Sequence, residues 1–251
     1  MYGFDQRGWG RSVHKDSDKG LTGPTSQVLA DITSFLKTLV NSKEADAKAP
    51  LFMMGHSMGG NETLLYIAEG PADVTSHIRG YLLEAPFLQL HRDIRPSAFT
   101  VFAGRLVGRI LPNRQMPFKL DEKRVSRDPE IQKAFAEDKL CHDTGTLEGL
   151  AHNLDRGFGL DSGKYAVPEG RGEGGKTRIW LSHGTKDLVA DSAPTERLFK
   201  RLEIKDKELK MYEGWYHKRM SIIFFYLVDD TLTTRKCTQS RAQTKKRTLK
   251  M

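Results

Sequence analysis

Leu51-Phe52-Met53-Met54-Gly55-His56-Ser57-Met58-Gly59-Gly60 is the stretch from which the rest of the chain is read. Four apolar residues halted by glycine predict a short buried strand, too brief for a helix. Asn61-Glu62-Thr63-Leu64-Leu65-Tyr66-Ile67-Ala68 predicts a helix that ends at Gly70-Pro71. Between them Gly55-His56-Ser57-Met58-Gly59 fits G-x-S-x-G, a turn sharp enough to expose a serine hydroxyl above a sheet. Small residues at both glycine positions let the helix begin close to the strand. The helix N-terminus stabilises negative charge that develops near Ser57. The competing reading is a Gly-rich turn holding a chance serine.

Upstream, Phe4-Asp5-Gln6-Arg7-Gly8-Trp9-Gly10-Arg11-Ser12 reads as a strand end running into a Gly-rich loop beside a charged Asp/Arg pair. With Thr25 or Ser26 as N-cap, Val28, Ile32, Phe35, Leu36 and Leu39 make an apolar helical stripe. A polar connector from Asn41 to Pro50 leads into the strand at Leu51. Downstream, Gly80-Tyr81-Leu82-Leu83-Glu84-Ala85-Pro86 is the next strand, closed by proline.

From Phe87 to about Gly175 the β/α rhythm breaks, with no strand alternation, which predicts a mobile insert. Phe99, Val101, Phe102, Leu106, Val107, Ile110 and Leu111 form an amphipathic patch there, with Arg105 and Arg109 among them. That patch reads as packing within the insert or as a lipid contact. Residues 151–175 read as loop-rich, ending in the flexible Glu169-Gly170-Arg171-Gly172-Glu173-Gly174-Gly175. The rhythm resumes with a strand at Thr177–Ser182, a helix at Ala193–Leu202 and a strand at Glu208–Tyr212. Strands alternating with helices predict an α/β fold, with a mostly parallel sheet and helices on both faces. Active groups in such sheets gather at the C-terminal strand ends.

At 251 residues the chain has room for one substantial core, or for a domain with an inserted subdomain. A hydrophobic fraction of 38% and a mean hydropathy of −0.53 predict a soluble chain that is thin in apolar residues. No run reaches membrane-span length, and Met1 leads straight into structure without a signal-peptide pattern. Cys141 and Cys237 are far apart and read as thiols, which suits a reducing, cytoplasmic compartment. The formal charge is +8, but the segment from Arg219 onward carries +6 of it, so the basicity is not a patch on the body. A lysine- and arginine-rich tail of this kind is read as solvated, and no nucleic-acid partner is expected.

Ser57, Asp187 and His217 each stand just past a predicted strand, in the order Ser, Asp, His. A serine hydroxyl is a poor nucleophile at neutral pH, so His217 would take its proton during attack on a carbonyl. Asp187 would hold the imidazole tautomer and stabilise the imidazolium. The Met58 amide would donate to the oxyanion. Asp191 is the rival acid, His56 reads as a packing or hydrogen-bonding residue, and His183 as shaping the turn before Asp187. Cys141, His142 and His152 lack any metal-ligand spacing.

With these residues in view, the chain resembles the monoacylglycerol lipases, S33-type α/β hydrolases, and the fungal ones in particular. The matching motifs are Phe4–Ser12, Gly55–Gly60, His183-Gly184-Thr185-Lys186-Asp187 and Tyr212-Glu213-Gly214-Trp215-Tyr216-His217, over roughly residues 2–218. The resemblance implies a hydrolase core at residues 1–86 and 177–218 with a cap at 87–176 whose apolar helices touch membrane. It implies release of fatty acid and glycerol from a monoacylglycerol, with no metal or organic cofactor, at a membrane or lipid-droplet surface. A lysophospholipase or general carboxylesterase is the alternative.

Two departures set further expectations. The family's early strands, and its His-Gly loop bearing a second oxyanion donor, have no counterpart before Asp5, which leaves the strand at Leu51 with an unpaired edge. A catalytically impaired hydrolase is the reading this favours; losing one such donor costs on the order of 100- to 1,000-fold in rate. After His217-Lys218 the family continues into a helix covering the sheet. Here residues 219–251 turn into a β-prone apolar run and a basic tail, expected to be disordered and aggregation-prone.

Overall fold

The computed structural model describes residues 1–41 and 49–217, so the apolar run and basic tail lie outside the described residues. After an N-terminal loop, α1 (Thr25–Val40) turns Val28, Ile32, Phe35, Leu36 and Leu39 inward, the stripe its 3.6-residue spacing predicts. Its N-cap is Pro24 in extended backbone, not Thr25 or Ser26. Proline's fixed φ suits that position, and the Thr25 hydroxyl is engaged elsewhere, 3.4 Å from Nδ1 of His152.

β1 (Leu51–His56), α2 (Met58–Glu69), α3 (Ala72–Thr75) and β2 (Ile78–Glu84) follow. The chain then runs through α4 (Ala98–Ile110), β3 (Gln115–Pro117), α5 (Glu122–Val125), α6 (Pro129–Glu137), β4 (Thr144–Thr146) and α7 (Leu147–Ser162). It returns with β5 (Arg178–Gly184), α8 (Ser192–Arg201) and β6 (Asp206–Tyr212).

The four long strands lie in the order β1-β2-β5-β6, every pair parallel. Parallel strands in register keep paired side chains on one face. Tyr81 beside Ile179 and Leu83 beside Leu181 therefore form rows on the same face. These rows meet the α1 stripe, Leu64 and Ile67 of α2, Leu160 of α7 and Leu198 of α8 in one core. On the opposite face of β1, Phe52 and Met54 are 49% and 44% exposed. The expectation of a buried strand fails at these two residues, because β1 is the outermost strand of the sheet.

Between β2 and β5 the structure is more ordered than the composition suggests. β3 and β4 pair antiparallel, so this region does contain strands. Residues 147–162 are helix rather than loop. The glycines that suggest a loop there are close-packing residues: a Cβ on Gly157 would meet the Leu88 carbonyl, and one on Gly159 the ring of Tyr165. Residues 169–175 are tied down as well. The Arg171 amide donates to Thr177 Oγ1 and the Thr177 amide to Glu169 Oε1, both at 2.8 Å. Arg171 Nε reaches the Ile67 carbonyl, also at 2.8 Å. The patch at residues 99–111 is surface, not core: α4 buries no residue, and Phe99 and Ile110 are 79% and 78% exposed.

Candidate active site

Three parallel strands deliver the three sequence-predicted residues to the same end of the sheet. Ser57 directly follows β1, Asp187 follows β5, and His217 follows β6. Ser57 itself is strained, with φ 53° and ψ −117°. A non-glycine residue there costs on the order of 1–3 kcal/mol and persists only where its surroundings hold it. Here they do. The Ser57 amide donates to the Glu84 carbonyl at 3.0 Å, and the Phe87 amide donates to the Ser57 carbonyl at 2.9 Å. The last residue of β2 and the segment after it thus clasp the serine from both sides.

The close approach of helix to strand rests on Gly55 and Gly60. A Cβ on Gly55 would strike the Gly59 carbonyl, and one on Gly60 would lie 2.8 Å from Cα of Pro86. Gly59, the second glycine of the motif, has open space where its Cβ would be. The steric requirement sits one residue later than the pattern suggests. Met58 is the first residue of α2, so its amide has no intrahelical acceptor and is free to donate beside Ser57.

Asp187 is buried, and its carboxylate is fully engaged. Oδ1 accepts the Val189 and Ala190 amides at 2.8 and 2.9 Å. Oδ2 lies 2.6 Å from Nδ1 of His217 and 3.2 Å from Nε2 of His183. Burial would push this carboxyl up, but the two imidazoles outweigh it and hold Asp187 below the ordinary carboxylate range. Asp191, the rival acid, is instead the N-cap of α8, where its Oδ1 accepts the Ala193 amide at 3.1 Å.

The two flanking histidines have defined tautomers. His183 Nε2 faces only acceptors, the Ala190 carbonyl at 3.2 Å and the Asp187 carboxylate, so it carries the proton. His183 Nδ1 then accepts from the Thr195 hydroxyl at 2.9 Å. His56 Nε2 donates to the His217 carbonyl at 3.1 Å, and the two rings pack 4.7 Å apart. The His217 loop is pinned to the Asp187 loop by the Lys186 amide on the Trp215 carbonyl and the Thr185 amide on the Tyr212 carbonyl, each 3.0 Å. Tyr212 and Trp215 stack at 4.6 Å.

Behind the serine lies a buried polar network that sequence reading passed over. Arg156 of α7, 2% exposed, reaches Glu62 Oε1 at 3.1 Å and Asn61 Oδ1 at 3.3 Å, both in the first turns of α2. Gln6 of the N-terminal loop donates to the other Glu62 oxygen. Asn61 in turn donates to the Phe87 carbonyl at 3.0 Å. Asn61-Glu62 are only the start of a helix in the sequence, and an arginine 94 residues after Glu62 gives them their role. The Asp/Arg pair of this loop is Asp5 with Arg11, whose amide it accepts at 3.0 Å and whose guanidinium lies 3.5 Å away, while Arg7 binds Asp31 at 3.0 Å.

Among the described residues no three His, Cys, Asp or Glu side chains are arranged to hold a metal ion. A cleft of about 650 Å³, lined by Lys15, Ser17, Asp18, Asn113, Arg114 and Gln115 among others, touches none of Ser57, Asp187 and His217.

The chain is 29% identical to the monoacylglycerol lipase of Mycolicibacterium smegmatis over 222 residues, 87% of this chain and 71% of that protein. It is 29% identical to the monoglyceride lipase of Saccharomyces cerevisiae, over 87% of this chain and 68% of the relative. Against a Schizosaccharomyces pombe relative, again 29% identical, it spans 54% of the length, about half. Among solved structures, a soluble variant of the Saccharomyces cerevisiae monoglyceride lipase in complex with a substrate analog superposes with a TM-score of 0.77 at 26% identity, covering 90% of this chain and 73% of that one. The Paleococcus ferrophilus monoacylglycerol lipase gives 0.71 at 25% identity, covering 90% and 80%. The family described as serine aminopeptidase, S33, matches residues 1–221. Because that match takes in most of the chain, the chain belongs to this family of hydrolases, and its architecture is the α/β-hydrolase fold.

Proposed function

We propose that the chain hydrolyses the ester bond of monoacylglycerols, with Ser57 as nucleophile, His217 as general base and then acid, and Asp187 as its orienting carboxylate. The observation that carries this reading is the 2.6 Å contact between His217 Nδ1 and Asp187 Oδ2, with Ser57, strained at a helix N-terminus, at the same end of the parallel sheet. With Nδ1–H committed to Asp187, Nε2 is the basic nitrogen and takes the Ser57 proton as Oγ attacks the acyl carbonyl. The Met58 amide donates to the oxyanion. His217 then protonates the departing glycerol oxygen, and water, deprotonated by the same nitrogen, releases the fatty acid from the acyl-serine.

The names of the relatives support a lipid ester as substrate, and the exposed face of α4 supports access to it. Phe99, Phe102, Leu106 and Ile110 are all more than half exposed. Such a face beside Arg105 and Arg109 suits a transient contact with a lipid surface.

Labelling by a fluorophosphonate that disappears in Ser57→Ala is the expected result, and equal labelling of that variant overturns the assignment. A panel of monoacylglycerols, lysophospholipids and short aryl esters tests the substrate. Faster turnover of lysophospholipids or aryl esters moves the reading to a lysophospholipase or general carboxylesterase. Labelling without turnover of any ester moves it to a catalytically impaired hydrolase.

A further inference from the structure

Glu84, at the C-terminal end of β2, is 0% exposed, and neither carboxylate oxygen has a hydrogen-bond partner among the described residues. Buried carboxyls in native proteins are normally paired or hydrogen-bonded, so an isolated one needs an explanation. Its main chain supplies one. The Glu84 carbonyl holds the Ser57 amide at 3.0 Å, and the next amide, Ala85, donates to the Ser182 carbonyl at 2.8 Å. Ala85 is the only other non-glycine described residue with positive φ, at 42°. The two strained residues are therefore joined through the backbone of Glu84.

We propose, resting on the hydrolase reading above, that Glu84 is a positioning residue for the reaction: a neutral carboxylic acid beneath the serine turn whose ionisation loosens that turn and lowers activity.

Among the described residues the surroundings offer a Glu84 anion no partner. In register, Glu84 lies between His56 of β1 and Ser182 of β5, and Lys210 of β6 continues the row. Lys210 is exposed and two strands away. Tyr212 follows on the same face of β6, and His217 packs on His56. On α2, which packs on the core face of β2, Glu62 is occupied by Arg156 and Gln6. Glu173, in the short turn against β2, is paired with Arg79 near the far end of the strand. With no cation or donor at the carboxyl among the described residues, burial pushes it up to about 8. Above that pH the anion must reach water or draw in a cation. Either movement shifts the residue whose carbonyl fixes the Ser57 amide.

The test is the pH profile of fluorophosphonate labelling, and of kcat/KM on a soluble short-chain ester, for the wild-type chain and Glu84→Gln. Gln keeps the shape and cannot ionise. The wild-type rate is expected to fall by up to about tenfold per pH unit above pH about 8, while Glu84→Gln holds its plateau to about pH 9.5. Equal falls in both proteins overturn the proposal, as does a wild-type rate that stays flat across the range. The wild-type profile alone can therefore refute it, and Glu84→Met is the second neutral variant should Gln not fold. A wild-type chain unlabelled at every pH overturns the hydrolase reading and this proposal with it. Labelling with no difference between the profiles overturns this proposal alone.

Discussion

Oδ2 of Asp187 is shared by two imidazoles, Nδ1 of His217 at 2.6 Å and Nε2 of His183 at 3.2 Å. With two amides on Oδ1, four donors converge on one buried carboxylate. Such a group is locked in orientation and in its ionised form. The restraint comes from the Val189-Ala190 turn and from His183, which Thr195 of α8 fixes in turn.

Asp187→Asn replaces one acceptor oxygen by an NH₂ group, which cannot serve both histidines and the two amides. The expected loss in kcat on an ester substrate is about 10³- to 10⁴-fold. Asp191→Asn keeps a side chain able to cap α8, so its kcat is expected within about threefold of wild type. Steady-state hydrolysis of both variants checks this, and equal losses would reopen the choice of acid.

Removing Arg156 strands Glu62 in the interior with Gln6 as its remaining partner. Arg156→Met is expected to cost about 3–5 kcal/mol in urea denaturation, because an unpaired buried charge is left behind. Glu62→Leu combined with Arg156→Met should recover most of that loss. A double variant no more stable than the single one would show that packing, not charge, dominates at this contact.

Glu84 makes stability depend on pH in the direction opposite to the usual carboxylate. Its folded pKa of about 8 lies above its ordinary 4.5. Between these values the folded chain binds the extra proton, so its contribution is full below about pH 4.5 and is lost as pH rises towards 8. Glu84→Gln should therefore stabilise the protein at pH 7 by on the order of 3 kcal/mol, with little gain at pH 5. Asp187, held low, acts with the opposite sign: its contribution is present above the unfolded carboxylate range and lost only in acid, outside this window. Denaturation curves at pH 5 and 7 measure the difference, and an equal gain at both would contradict the sign.

β1 presents Phe52 and Met54 to solvent on an outer strand. An apolar, uncharged sheet edge invites pairing with another chain. Met54→Lys is expected to lower concentration-dependent self-association in sedimentation velocity while leaving fluorophosphonate labelling intact. An unchanged sedimentation profile would remove β1 as the sticky edge.

If α4 is the lipid-facing helix, Phe99→Ser with Ile110→Ser should weaken retention on phosphatidylcholine vesicles by about tenfold or more, since two large apolar side chains are withdrawn. Turnover of a soluble short-chain ester should stay within about twofold. Unaltered retention would place the lipid contact elsewhere.

Local spacing was enough to read the β/α alternation, the α1 stripe and the strand-turn-helix around Ser57, because each depends on residues within a few positions of one another. It also placed Ser57, Asp187 and His217 at strand ends, and parallel strands bring such ends together. What local spacing could not supply were contacts between residues distant in the chain. The loop-like glycines of α7 are packing residues, recognisable only once Leu88 and Tyr165 lie against them. Phe52 and Met54 read as core, yet burial depends on which strand or helix is adjacent, and that belongs to sheet order. The sequence favours Asp187 and leaves Asp191 as its rival, and the turn that gives one to His217 and the other to α8 is set by tertiary hydrogen bonds. Glu84 is one letter in an apolar strand. Its meaning as a buried acid comes from the fold around it, because desolvation is a property of surroundings that neighbouring letters do not encode.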